Sequence, residues 1–301
     1  RCCSMRSNLE GDFRPVTDAA SVATRFLESS EIEVVGELPE RVRPRHVLFD
    51  FDGTLSLIRE GWPQVMIPMM VEILQGTGTS ETAEELHDIT ETFVMELNGK
   101  QTIYQMMRLA EEVTRRGGQP EDPLMYKEGY HRRLLERIED RRKILREGAD
   151  PEGLLVPGSI KLLRALEEQE VQLHLASGTD EAFVREEAGL LGLDPFFGDH
   201  THGALDDHKA FSKAMVIERI LAENRIDGEQ LVGFGDGYVE IQNIREAGGL
   251  AIAVASDEAG RSGKPDEWKR NRLIGAGAHM VIPDFLETEN LIAHLFDSQL
   301  N

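Results

Sequence analysis

Val47-Leu48-Phe49-Asp50-Phe51-Asp52-Gly53-Thr54-Leu55-Ser56 is the stretch on which the reading of this chain turns. A short apolar run ends at Asp50, a second carboxylate follows two residues later, and Gly53-Thr54 breaks the strand. Alternate strand side chains share a face, so Asp50 and Asp52 point the same way. Two carboxylates at the carboxyl end of a buried strand repel each other and are costly to desolvate. A cation removes that cost, and hard oxygen ligands of this kind suit Mg²⁺.

Two further strand ends carry chemistry. Val171–Ala176 runs into Ser177-Gly178-Thr179-Asp180 ahead of a helix. A hydroxyl beside backbone N–H groups at a helix start can hold a phosphate oxygen, or Ser177 can simply cap the helix. Leu231–Phe234 runs into Gly235-Asp236-Gly237-Tyr238-Val239-Glu240. Asp236 is a third oxygen ligand at a strand end, and Glu240 lies one helical turn further on. A lysine is needed against these acids and a phosphate. Ser212 reads as a helix cap with Lys213 in the first turn, where the helix dipole disfavours a cation unless function calls for it. Lys209 is the alternative.

The chain between these motifs divides by periodicity. Residues 1–44 are expected to form a helical extension, with a helix over 17–29, followed by a Pro- and charge-rich linker. Residues 61–154 carry helical periodicity in four or five segments, each closing near a Gly. Residues 45–60 and 155–301 alternate strands and helices. The expected elements are helices at 158–169, 180–192, 212–224 and 288–296, and apolar runs at 171–176, 231–234, 241–247, 250–255 and 280–282, with a turn-rich segment over 195–210. This pattern predicts an α/β fold: a doubly wound parallel sheet with its site beyond the carboxyl ends of the strands.

Taken together, the strings resemble the four motifs of the haloacid dehalogenase (HAD) superfamily, in order. Asp50 and Asp52 match the first, Ser177 the second, Lys213 the third, and Asp236 with Glu240 the fourth. The resemblance implies a Rossmann-like core over 45–60 and 155–301. It makes 61–154 a helical C1 cap of the kind found in phosphoglycolate phosphatase and beta-phosphoglucomutase relatives. It implies Asp50 as nucleophile and Asp52 as general acid and base. Asp50, the Asp52 backbone carbonyl and Asp236 would hold Mg²⁺, with Glu240 behind them. Ser177, Gly178 and Lys213 would hold the phosphoryl oxygens. Superfamily members that cleave carbon–halogen or carbon–phosphorus bonds lack the acid matched by Asp52, so transfer from oxygen is implied. The expected activity is a Mg²⁺-dependent phosphatase for a small phosphorylated metabolite, such as a sugar or sugar-acid phosphate. A phosphomutase is the alternative enzyme, and a non-catalytic regulatory or scaffolding module the alternative of another class.

In the cap, Asn98-Gly99-Lys100-Gln101-Thr102 forms a polar turn between two helices that resembles a substrate-specificity loop, which makes Lys100 a candidate substrate contact or a solvated loop charge. Arg59, in the hinge stretch Leu57–Gln64, is a second candidate, whereas Trp62 is read as hinge packing. His200, His202 and His208 sit in a loop-like stretch and are read as loop structure rather than a zinc site. A formal net charge of −22 over 301 residues disfavours a nucleic-acid partner and requires a local positive site for an anionic substrate. No apolar run is long enough to span a membrane. Cys2 and Cys3 are adjacent and allow no disulfide framework, consistent with an expected cytoplasmic location.

Overall fold

The structure, a computed structural model, describes residues 12–39 and 42–296; Cys2 and Cys3 lie outside them. In chain order the strands and helices are β1 (Thr24–Phe26), β2 (Glu33–Val35), β3 (His46–Phe49), α1 (Pro63–Gln75), α2 (Ala83–Glu96), α3 (Thr102–Arg115), α4 (Pro123–Arg146), α5 (Ser159–Glu168), β4 (Gln172–Asp180), α6 (Glu181–Leu190), α7 (Asp194–Phe197), β5 (Thr201–Ala204), α8 (Lys213–Asn224), β6 (Leu231–Gly235), α9 (Tyr238–Glu246), β7 (Leu250–Val254), α10 (Glu267–Ala276), β8 (Met280–Ile282) and α11 (Thr288–Phe296).

The eight strands form one sheet in the order β1-β2-β8-β7-β6-β3-β4-β5. From β8 to β5 all neighbours pair in parallel. The chain leaves β3 towards β4 and β5, then returns to the other flank of β3 with β6, β7 and β8. The order therefore reverses at β3, and a crevice opens beyond its carboxyl end, where Asp50 stands. Parallel strands are covered on both faces, which accounts for their continuous apolar runs. Val47 and Phe49 belong to one hydrophobic cluster and Leu48 to the other. Phe49 is in register with Phe234 and stacks on it with ring centroids 4.8 Å apart.

Several expectations are corrected. No helix forms over 17–29. That stretch holds β1, and β1 pairs antiparallel with β2, which pairs antiparallel with β8. Local helix propensity yields to strand pairing with β2, which β8 in turn ties into the sheet. The linker contributes β2 for the same reason, and Glu33 on it is bonded by Arg270 of α10. The turn-rich segment contains α7 and β5, and β5 extends the parallel sheet beside β4. The run at 241–247 belongs to α9. The helix α10, absent from the sequence reading, lies between β7 and β8.

Helices α1 to α4 lie between β3 and α5 in the chain and pack on one another, with α4 also touching α6. Their ends follow capping chemistry. Thr82 and Glu85 make a reciprocal capping box on α2, and Asp122 caps α4 ahead of Pro123. The loop between α2 and α3 presses onto the sheet's crevice. Gly99 has φ +100°, and a Cβ built on it would lie 3.1 Å from the Gly237 Cα. Two glycines facing each other let the two backbones approach this closely.

Candidate active site

Asp50 extends β3, its N–H donating to the Phe234 carbonyl at 2.9 Å. Asp52 lies beyond, and both carboxylates line one cavity of about 90 Å³ beneath the four-helix unit. Gly53 has φ +73°, and a Cβ there would meet Asp236 Oδ2 at 2.2 Å, so only glycine allows the turn and Asp236 to coexist.

Lys213 stands at the start of α8, behind a Ser212 hydroxyl that accepts the Met215 N–H. Its ammonium is buried, 3.0 Å from Asp50 Oδ1 and 2.8 Å from Glu240 Oε2. Burial works against its charge, but the Asp50 and Glu240 carboxylates outweigh it and raise its pKa well above the ordinary value. Lys209 is exposed in the preceding loop. Glu240 also accepts the Gly237 N–H at the start of α9. Burial pushes the Glu240 carboxyl well up, with Lys213 opposing.

Ligand oxygens of Asp50, Asp236 and Glu240 lie within 4.8 Å of one another, which among the described residues is the one acidic or histidine group able to hold a metal ion. These hard donors fit Mg²⁺. Burial raises the Asp236 carboxyl to about 6, with Lys269 opposing and Asp50 adding to the rise.

Asp52 presents Oδ2 to the Thr179 hydroxyl at 2.8 Å. Its buried Oδ1 has no hydrogen-bond partner among the described residues, and Arg59 Nε is 3.8 Å away. Burial raises this carboxyl to about 7, against the pull of Arg59. A carboxyl whose pKa is raised towards neutrality and that has one oxygen without a hydrogen bond is suited to general acid and base work. Ser177 ends the regular part of β4, where its hydroxyl accepts the Thr179 N–H at 3.1 Å rather than capping a helix. Gly178 lines the cavity against the Lys100 carbonyl.

Arg59 lines the cavity but is committed elsewhere. It donates to both Glu187 oxygens at 2.9 Å, and both groups are buried. Lys100 lines the cavity from the Asn98–Thr102 turn, with its Nζ 2.7 Å from Asp12 Oδ1. Trp62 borders the cavity and packs against the core at the start of α1. His202 faces the Arg219 guanidinium at 3.0 Å, and His200 packs on His174. The His208 carbonyl accepts Gln101 Nε2 at 3.2 Å, tying its loop to the α2–α3 turn.

Several residues of the site escaped the sequence reading. Lys269 of α10 reaches Asp236 Oδ2 at 2.9 Å, Glu258 Oε1 at 2.6 Å and the Ser256 hydroxyl at 3.1 Å. The Ser256 hydroxyl in turn donates to the Gly53 carbonyl. Thr179, Glu187, Glu258 and Tyr130 were also missed as site residues. The local signals that could have exposed α10 and its lysine are Asp266, whose side chain caps the helix by accepting the Lys269 N–H, and Gly277, which closes it.

No helix among the described residues is long and apolar enough to cross a membrane. Solved structures with the same fold include three spanning most of this chain. A conserved haloacid dehalogenase-like protein of unknown function from Agrobacterium tumefaciens superposes with a TM-score of 0.54 at 17% identity, covering 84% of this chain and 99% of its own. A predicted phosphoglycolate phosphatase from Haemophilus somnus gives 0.53 at 15%, covering 83% and 98%. A beta-phosphoglucomutase from Clostridium difficile gives 0.54 at 13%, covering 83% and 97%. No match to the chain was found among curated proteins. Residues 44–248 match the family described as haloacid dehalogenase-like hydrolase, a span that takes in every motif from Asp50 to Glu240. The chain belongs to the haloacid dehalogenase-like hydrolase family.

Proposed function

We propose that this protein is a Mg²⁺-dependent phosphatase that hydrolyses a small phosphorylated metabolite through a phosphoryl group carried on Asp50. The observation that carries this reading is the Lys213 ammonium held between Asp50 and Glu240, with Asp52 facing the same cavity. Asp50 and Asp236 would hold the ion through their carboxylates and Asp52 through its backbone carbonyl, with Glu240 behind them. When bound, Mg²⁺ screens the repulsion between Asp50 and the incoming phosphoryl oxygens.

An Asp50 oxygen attacks phosphorus, an acyl phosphate bond forms, and the ester P–O bond breaks. Protonated Asp52 gives its proton to the departing alkoxide. Water then enters, Asp52 takes a proton from it, and the new hydroxide displaces Asp50 to release inorganic phosphate. Lys213, the Ser177 hydroxyl and the N–H of Gly178 hold the phosphoryl oxygens as their charge redistributes. The four-helix unit shields the reaction from bulk water and selects the organic part.

The test is hydrolysis of 4-nitrophenyl phosphate. Release of inorganic phosphate with Mg²⁺, its loss with EDTA, and its loss in Asp50→Asn are expected. An inactive wild-type protein with Mg²⁺, or an active Asp50→Asn variant, would falsify the reading.

A further inference from the structure

Among the described residues three cations line the cavity, and each already has a protein partner: Lys213 with Asp50 and Glu240, Arg59 with Glu187, and Lys100 with Asp12. The first two pairings are buried on both sides. The third is different. The Lys100 side chain is 3% exposed, whereas Asp12 is 82% exposed and comes from a strap outside the family-matched span.

The strap is anchored. The Val16 N–H donates to the Gly275 carbonyl at 2.8 Å, and Gln242 Nε2 donates to the Arg14 carbonyl at 2.9 Å. The Phe13 ring meets Tyr238 edge-on at 5.3 Å and lies under the Arg272 guanidinium at 4.5 Å. Arg272 also donates to the Glu96 carbonyl at the end of α2. These contacts carry Asp12 from the sheet's helices to the α2–α3 turn, where Lys100 also lies 5.0 Å from the Tyr104 ring. Asp12 is held below the usual carboxylate range by the hydrogen bond and charge of Lys100, so it is ionised at neutral pH.

We propose that Asp12 is a specificity-determining positioning residue: by occupying Lys100 it withdraws the one cavity cation whose partner is exposed, so the site favours phosphate monoesters with an uncharged polar organic part over those bearing a carboxylate. The inference rests on the phosphatase reading. Among the other residues lining the cavity, Asn98, Thr102 and Tyr130 carry neutral polar groups that suit such a substrate, whereas Gln105 already donates its Nε2 to the Val94 carbonyl. A substrate carboxylate would have to displace Asp12 from Lys100 or remain uncompensated beside Asp52 and Glu60.

The experiment uses a matched pair differing by CH₂OH against COO⁻, glycerol 3-phosphate and 3-phosphoglycerate. Each competes against 4-nitrophenyl phosphate hydrolysis with Mg²⁺. The wild type is expected to bind glycerol 3-phosphate more tightly. Asp12→Asn should shift the ratio of inhibition constants towards 3-phosphoglycerate by about threefold or more, the scale of one exposed ion pair. Asp12→Glu should retain the wild-type preference, and Lys100→Met placed on Asp12→Asn should remove the gain. An unchanged ratio in Asp12→Asn, including inhibition by neither compound, overturns the proposal. So does a gain that survives Lys100→Met, or a wild type that prefers the acid. Failure of the wild type to hydrolyse the aryl phosphate at all overturns the phosphatase reading instead.

Discussion

Arg59 grips Glu187 through two parallel hydrogen bonds of 2.9 Å, and Glu187 is completely buried. The pair joins the hinge after β3 to α6, with Asp52 3.8 Å from the guanidinium. Burial opposes the Arg59 charge, but Glu187 and Asp52 raise its pKa beyond the ordinary range. Its bidentate contact neutralises a buried acid and ties the hinge to α6, while its side chain also lines the cavity.

Removing one partner of such a pair leaves an uncompensated buried charge. Arg59→Ala is predicted to destabilise the fold by about 3–5 kcal/mol, and Arg59→Met with Glu187→Leu to recover much of that loss. Urea unfolding of the three proteins measures both values. Equal stability of Arg59→Ala and wild type would mean that the pair is open in solution.

Lys213 is predicted to be the phosphate lysine. Lys213→Ala should lower kcat/KM on 4-nitrophenyl phosphate by at least about a hundredfold, with Lys209→Ala close to wild type. Circular dichroism on both variants separates lost chemistry from lost fold. The reverse ordering of the two effects would transfer the role to Lys209 and contradict the contact between Lys213 and Asp50.

Asp52 is predicted to matter most where the leaving group is a poor one. An alkoxide needs a proton as it departs, whereas 4-nitrophenolate leaves unassisted. Asp52→Asn should therefore lower kcat on an alkyl phosphate by about 10²–10⁴-fold and on the aryl phosphate by much less. Steady-state kinetics on both substrates decide the matter. Equal losses would assign Asp52 to binding instead of proton transfer.

Acid should weaken the fold through His174. This ring is buried, 3.0 Å from His46 Nδ1 and packed against His200, and burial followed by those neighbours lowers its pKa to about 3. The folded state thus refuses a proton that the unfolded chain takes up below the ordinary value of 6.5. Stability is full above that value and declines as pH falls towards the folded pKa. Between pH 6.5 and 5 the free energy of unfolding should fall less steeply in His174→Gln than in wild type, the difference approaching about 1.4 kcal/mol per pH unit. Identical slopes in denaturant titrations across that range would remove His174 from the account.

The strand-end signals were legible because they are local. An apolar run followed by Asp50-Phe51-Asp52-Gly53 dictates a strand, a turn and two carboxylates on one side whatever the rest of the chain does. Ser212 marked the start of α8 through its own hydrogen bond to Met215, and that placed Lys213 in the first turn. Periodicity and closing glycines pointed to four or five helices after the hinge, and the structure has four between residues 63 and 146. What the sequence could not disclose depends on partners distant along the chain. β2 is a strand because β8 supplies an edge to pair with, and β1 then pairs on β2, which overrides the helical pattern over 17–29. β5 is a strand because β4 lies beside it. Lys269 meets Asp236 and Glu258, Glu187 meets Arg59, and Asp12 meets Lys100 only through the tertiary fold. The sequence by itself determined the motif positions and the α/β alternation, because each rests on backbone preferences spanning a few residues. Tertiary structure alone decided which charges neutralise one another, because Coulomb interaction depends on distance in space, and folding sets that distance between residues as far apart as 12 and 100.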